Sequence, residues 1–87
     1  MTHIDFTKKF WKQYYKLPKK SQTQFDARLR LFILDQSNPR LRIHLLKAHY
    51  AGYWSMDVNG DVRALFRRDG DRVIIFAFIG THSQLYG

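Results

Sequence analysis

The sequence predicts an α+β fold, two N-terminal helices packed on a small antiparallel or mixed β-sheet, in a single domain spanning residues 1–87. Apolar residues recur at helical steps of three and four through the first third of the chain, and from Leu41 onward the period falls to two. Between the two regimes stands Asn38-Pro39, a turn signal that no helix crosses easily. A chain of 87 residues supports one core, burying roughly 60–65% of the surface its unfolded form exposes, so no second domain is expected.

Phe6, Phe10, Tyr14 and Leu17 form the stripe of a short first helix, with Thr7 placed to cap its start and Pro18 to stop it. A second helix follows, carrying Phe25, Leu29, Phe32 and Ile33 on one face and Lys20, Gln24, Arg28 and Asp35 elsewhere; it ends before Asn38-Pro39. In the β half, Trp54, Met56 and Val58 alternate with Ser55 and Asp57, and across Asn59-Gly60, Val62, Ala64 and Phe66 alternate with Asp61, Arg63 and Arg67. A two-residue loop would set Val58 against Asp61 and Met56 against Arg63, mixing apolar and charged groups on one side. A three-residue loop pairs the apolar sets with each other on the core face. It collects Ser55, Asp57, Asp61 and Arg63 as a polar patch on the other. Asp69-Gly70-Asp71 makes a second turn into RVIIFAFIG, apolar at both parities as expected of a central strand covered on both sides. HIDF and LRIHLL have the composition for one further strand each, giving three to five strands in all.

Hydrophobic residues at 45% and aromatics at 16% exceed what a disordered chain carries. Fifteen Lys and Arg against seven Asp and Glu leave a net charge of +8, which suits a polyanion such as nucleic acid. The absence of cysteine removes disulfide frameworks and thiolate zinc sites and fits a reducing compartment. The longest apolar run, VIIFAFI, falls far short of the ~20 residues needed to span a bilayer, and the N-terminus has no apolar signal core. The expectation is a soluble cytoplasmic protein without membrane association.

The chain closes on FIGTHSQLYG, where an apolar strand runs directly into side chains able to move protons. His44, His49 and His82, with Asp57, Asp61, Arg63 and Tyr86, form the candidate set. Cleavage of RNA through its ribose hydroxyl needs a base, donors for the charge building on the phosphate and an acid for the leaving oxygen. These residue types suffice for it without a cofactor. No histidine stands in finger or HExxH spacing, so no metal is expected. Each residue also has a structural reading: a hydrogen-bonded histidine at a strand end, an aspartate satisfying turn amides, an exposed Arg63 ion pair, a tyrosine that buries its ring.

The helical pair, the hairpin GYWSMDVNGDVRALFR and the tail GTHSQLYG together resemble the RelE/ParE superfamily of bacterial toxins, and the tail most resembles its YafQ-like branch. The resemblance covers essentially the whole chain. It implies a microbial-RNase-like fold and a type II toxin that enters the ribosomal A site, against 16S rRNA, and cuts mRNA without a metal. His82 falls at the branch's catalytic histidine, and His44, in RIHLLK, at its upstream histidine. Asp61 falls at a branch aspartate and Arg63 at the arginine that steadies the phosphate in RelE. Tyr86 matches the terminal aromatic that stacks on or orients substrate. The branch has a further histidine and aspartate on the first hairpin strand; this chain has Asp57 and Ser55 there, so the proton relay is expected to be rearranged. Lys47 echoes part of a lysine cluster in RelE, and Lys47, His49, Arg67 and Tyr86 are the expected RNA contacts, with Tyr50 and Tyr53 as further stacking faces. Salt should weaken binding steeply, because phosphate contacts release counterions. The resemblance also implies a cognate acidic antitoxin that folds over the basic face. Two rival functions are a gyrase-poisoning toxin of the ParE kind and a non-catalytic RNA-binding module.

Overall fold

The computed structural model describes residues 2–87 and has the order β1 (His3–Phe6), α1 (Lys8–Lys16), α2 (Lys19–Leu34), β2 (His44–Leu45), β3 (Trp54–Asp57), β4 (Val62–Asp69), β5 (Val73–Thr81) and α3 (His82–Tyr86). The five strands form one sheet in the order β1-β5-β4-β3-β2, with β1 parallel to β5 and the other neighbours antiparallel. This is the expected α+β architecture with a mixed sheet.

Thr7 starts α1 by accepting a hydrogen bond from the Phe10 amide at 3.0 Å, and the Leu17-Pro18 step separates the two helices. Phe6 belongs to β1 rather than to the helical stripe, although its ring still stacks on Phe76 at 5.6 Å. On α2, Phe25 and Phe32 are buried, but Ile33 is 61% exposed, one residue past the face that meets the sheet. Of LRIHLL only His44 and Leu45 join the sheet.

The hairpin register is the one that core burial demands. Trp54 faces Phe66, Met56 faces Ala64, and the Val58 amide bonds the Val62 carbonyl at 3.0 Å, so Asn59, Gly60 and Asp61 form the three-residue loop. Asn59 organises this loop: its side-chain oxygen accepts from the Asp61 and Val62 amides, and its side-chain nitrogen donates to Gln24 of α2 at 2.8 Å. The patch opposite the helices is not simply polar. Ser55 and Leu65 are buried there, and Phe78 carries the rings of Tyr50 and Tyr53 at 5.5 Å each. Asp61 sits in the loop with an exposed side chain rather than on the sheet.

The two-sided apolar character of β5 has two causes. One is cover on both faces. The other is a bulge: Leu65 faces Phe78 while Phe66 faces Phe76, leaving Ala77 as the extra residue and shifting the parity so that Phe76 and Ile79 both reach the helix side. β1 stops opposite Phe76, and α1 covers the open edge beyond it. There the Thr7 amide and hydroxyl donate to the carbonyls of Phe76 and Ala77, and Gln13 accepts from the Ile79 amide at 3.0 Å. On the helix side Tyr14 donates to Asp26 at 2.9 Å; burial, and then this carboxylate, push its hydroxyl up to about 12. Among the described residues no helix is long and apolar enough to cross a membrane.

Candidate functional site

β5 delivers the tail to a defined place. Thr81 caps α3 through a reciprocal box in which its hydroxyl accepts from the Gln84 amide at 3.2 Å and Gln84 Oε1 accepts from the Thr81 amide at 2.8 Å. The His82 amide bonds the Asp61 carbonyl at 3.2 Å, which ties the first residue of α3 to the hairpin loop. His82 is exposed, and its ring lies 4.7 Å from that of Tyr86.

Gly80 is the close approach in this arrangement. A β-carbon there would stand 2.9 Å from Gln84 Oε1 and 3.3 Å from Gln84 Cβ, and that oxygen is already held by the cap. Gly80→Ala is expected to open the capping box, displace α3 and cost roughly 1–3 kcal/mol. Thermal melting reads the stability. In a still-folded variant, changed ring-current shifts of the His82 and Tyr86 side chains read the displacement of α3.

Arg63 faces Gly80 on one side and Asp57 on the other. Its Nε donates to Asp57 at 3.0 Å, Nη1 to the carbonyls of Asn59 at 2.7 Å and Val62 at 3.1 Å, and Nη2 to Gly60 at 3.4 Å. The pair is mostly shielded, with 25% and 16% of the two side chains exposed, so it is not the exposed ion pair of the structural reading. A guanidinium has five N–H donors, and four are engaged. The remaining Nη2 donor belongs to a rigidly held cation. Burial, then Tyr50, raise the Tyr86 hydroxyl above the ordinary tyrosine value, and the Arg63 charge partly offsets this.

The other sequence-identified residues divide. His49 touches this centre through rings: it lies 5.0 Å from Tyr50, which lies 5.3 Å from Tyr86. Tyr50 also donates to the Leu85 carbonyl at 2.7 Å, fastening the segment before β3 to α3. His44 pairs with Ser55 on the same face of the sheet, but three strand spacings, roughly 14 Å, separate β2 from β5. Its Nδ1 is bonded to the Arg42 carbonyl at 2.9 Å, which turns Nε2 outward. Lys47 is exposed beside it, and Arg67 is exposed farther along β4, opposite Ile75. Asn59 and Gln84 also build the site beyond the residues its sequence pattern points to, and Tyr50 does more there than offer a stacking face. The Thr81-x-x-Gln84 spacing was a legible capping signal, whereas the Tyr50 contacts depend on tertiary structure alone.

Residues 2–87 match the family described as bacterial toxin of type II toxin-antitoxin system, YafQ. The fold is similar to the crystal structure of YafQ from E. coli strain BL21(DE3), at a TM-score of 0.83 and 20% identity with 100% of both chains covered. It is also similar to a chain of the E. coli DinJ-YafQ toxin-antitoxin complex, at 0.81 and 20% over 99% of this chain and 98% of that one. A chain of the toxin-antitoxin complex RelBE2 from Mycobacterium tuberculosis aligns at 0.65 and 24%, over 93% and 98% of the two chains. No curated protein sequence matches the chain.

Proposed function

The chain belongs to the YafQ family of bacterial type II toxins, and on that premise we propose that it is a ribosome-dependent endoribonuclease that cleaves mRNA and is neutralised by an acidic antitoxin. The observation that carries the reading is that an exposed imidazole beside an aromatic ring and a shielded guanidinium with a donor to spare stand at one end of the sheet, where Arg63 pairs with Gly80 and the His82 amide bonds the Asp61 carbonyl.

The reaction needs no group beyond these side chains. A base takes the proton of the ribose 2′-hydroxyl, whose oxygen attacks the adjacent phosphorus. The bond to the 5′-oxygen breaks, and an acid protonates that oxygen, leaving a 2′,3′-cyclic phosphate and a free 5′-hydroxyl. His82 serves as acid or base. Arg63 holds the charge that develops on the phosphoryl oxygens, oriented in advance by Asp57 and the loop carbonyls. Asp61 orders the loop through its carbonyl bond to His82 and supplies a carboxylate nearby. Tyr86 stacks on an unpaired base, and His44, His49, Lys47 and Arg67 contact flanking nucleotides on the same basic surface.

Incubation of the purified chain with ribosomes and message, followed by primer extension, is expected to show cuts that require the ribosome and persist in chelator. Intact message together with supercoiling damage would instead identify a gyrase poison, and RNA binding without cleavage or toxicity a passive module.

A further inference from the structure

Gln13 and Gln84 commit their side-chain oxygens to the fold, one to the Ile79 amide and one to the Thr81 amide. An oxygen held by an N–H fixes the orientation of its amide, so both Nε2 groups remain as donors. These two side chains, with Lys16, Leu17 and Ile79, line a cavity of about 190 Å³ between α1, the end of β5 and α3. Its polar lining therefore offers two amide NH₂ groups and one ammonium, and no carboxylate. α1 contains no acidic residue and carries Lys8, Lys9, Lys12 and Lys16. Such a lining selects an anion.

We propose that this cavity is a second phosphate subsite, holding a backbone phosphate of the single-stranded RNA that flanks the scissile linkage. The identity of the strand rests on the ribonuclease reading; the preference for an anion rests on the side chains alone. His82 and Gln84, two positions apart, point to different sides of the one-turn α3, so the cavity lies across that helix from the imidazole. RNA is favoured over an acidic peptide by continuity with the aromatic face of the site: Lys9, on the same flank of α1 as Gln13 and Lys16, lies 5.3 Å over the Phe78 ring, which meets those of Tyr50 and Tyr53 at 5.5 Å each.

The test follows the side-chain amide signals of Gln13 and Gln84 in ¹⁵N-labelled protein titrated with inorganic phosphate, with a 2′-O-methyl oligoribonucleotide that cannot be cleaved, and with an acidic peptide. Both signals are expected to shift with phosphate and with the oligonucleotide. Lys16→Ala should lower the logarithmic salt slope of oligonucleotide binding by about 0.7, one phosphate's worth. Gln84→Glu keeps the oxygen that caps α3 while replacing donors with negative charge, so it should remove the remaining shift at Gln13 and leave the melting temperature unchanged. No shift with either phosphate or oligonucleotide overturns the subsite, as does a response to the peptide but not to the oligonucleotide. Shifts from the oligonucleotide with no cleavage in the ribosome assay would overturn the ribonuclease reading and leave the subsite standing.

Discussion

His82→Ala is expected to abolish growth arrest on expression and to slow single-turnover message cleavage by about 10²- to 10⁴-fold, the usual contribution of a positioned acid or base. The fold should be untouched. The side chain is exposed, the bond to Asp61 is made by the backbone amide, and the capping box of α3 belongs to Thr81 and Gln84. What the variant loses is the proposed proton-moving group and its ring contact with Tyr86. Melting temperature and antitoxin binding should therefore match the wild type. Undiminished cleavage in this variant would falsify the assignment of His82, whatever the behaviour of the other residues.

Phe76→Ala should produce the largest loss of stability. Its side chain is fully buried, and its ring lies between 5.3 and 5.9 Å from those of Phe6, Phe10, Phe25, Phe32 and Phe66. It thus joins β1, α1, α2 and β4 in a single cluster. Truncating such a residue costs about 3–5 kcal/mol, transfer term and cavity together, against a total margin of about 5–15 kcal/mol for a small domain. A chemical-denaturation midpoint far below that of the wild type is the expected outcome. A shift under about 1 kcal/mol would mean that the surrounding rings collapse into the space, and that the aromatic cluster is not the rigid frame described.

These two substitutions probe parts of the molecule that differ in how far the sequence exposed them. The core was legible because period and burial are local signals: the steps of four along α1, the alternation across Asn59-Gly60 and the cap at Thr7 each state a face without reference to distant residues. Ile33 departs from that pattern because it stands one residue past the face on which Phe25 and Phe32 meet the sheet. Phe6 fitted a helical step by coincidence of spacing, while the open edge of β5 claimed it as a strand. In the site, residue types could be named from the tail and the hairpin, but their division of labour could not. Nothing in GDVR says that the Arg63 guanidinium folds back on Asn59, Gly60 and Val62, and nothing in KAHY says that Tyr50 reaches the Leu85 carbonyl.

By itself the sequence determined the fold class, the three-residue register of the hairpin, the basic balance and the chemistry available at the chain's end, because each follows from periodicity, turn composition or residue type within a short window. Only the tertiary structure decided which of those groups share a site. The pairing of β4 with β5 brings Arg63 beside Gly80 and ties His82 to Asp61, while the strand order leaves His44 three strands away. Because β1 ends opposite Phe76, the rest of the β5 edge is left to α1, and the cavity lies between that helix, the end of β5 and α3. Strand order and bulge position arise from contacts between residues far apart in the chain, and no local pattern encodes them.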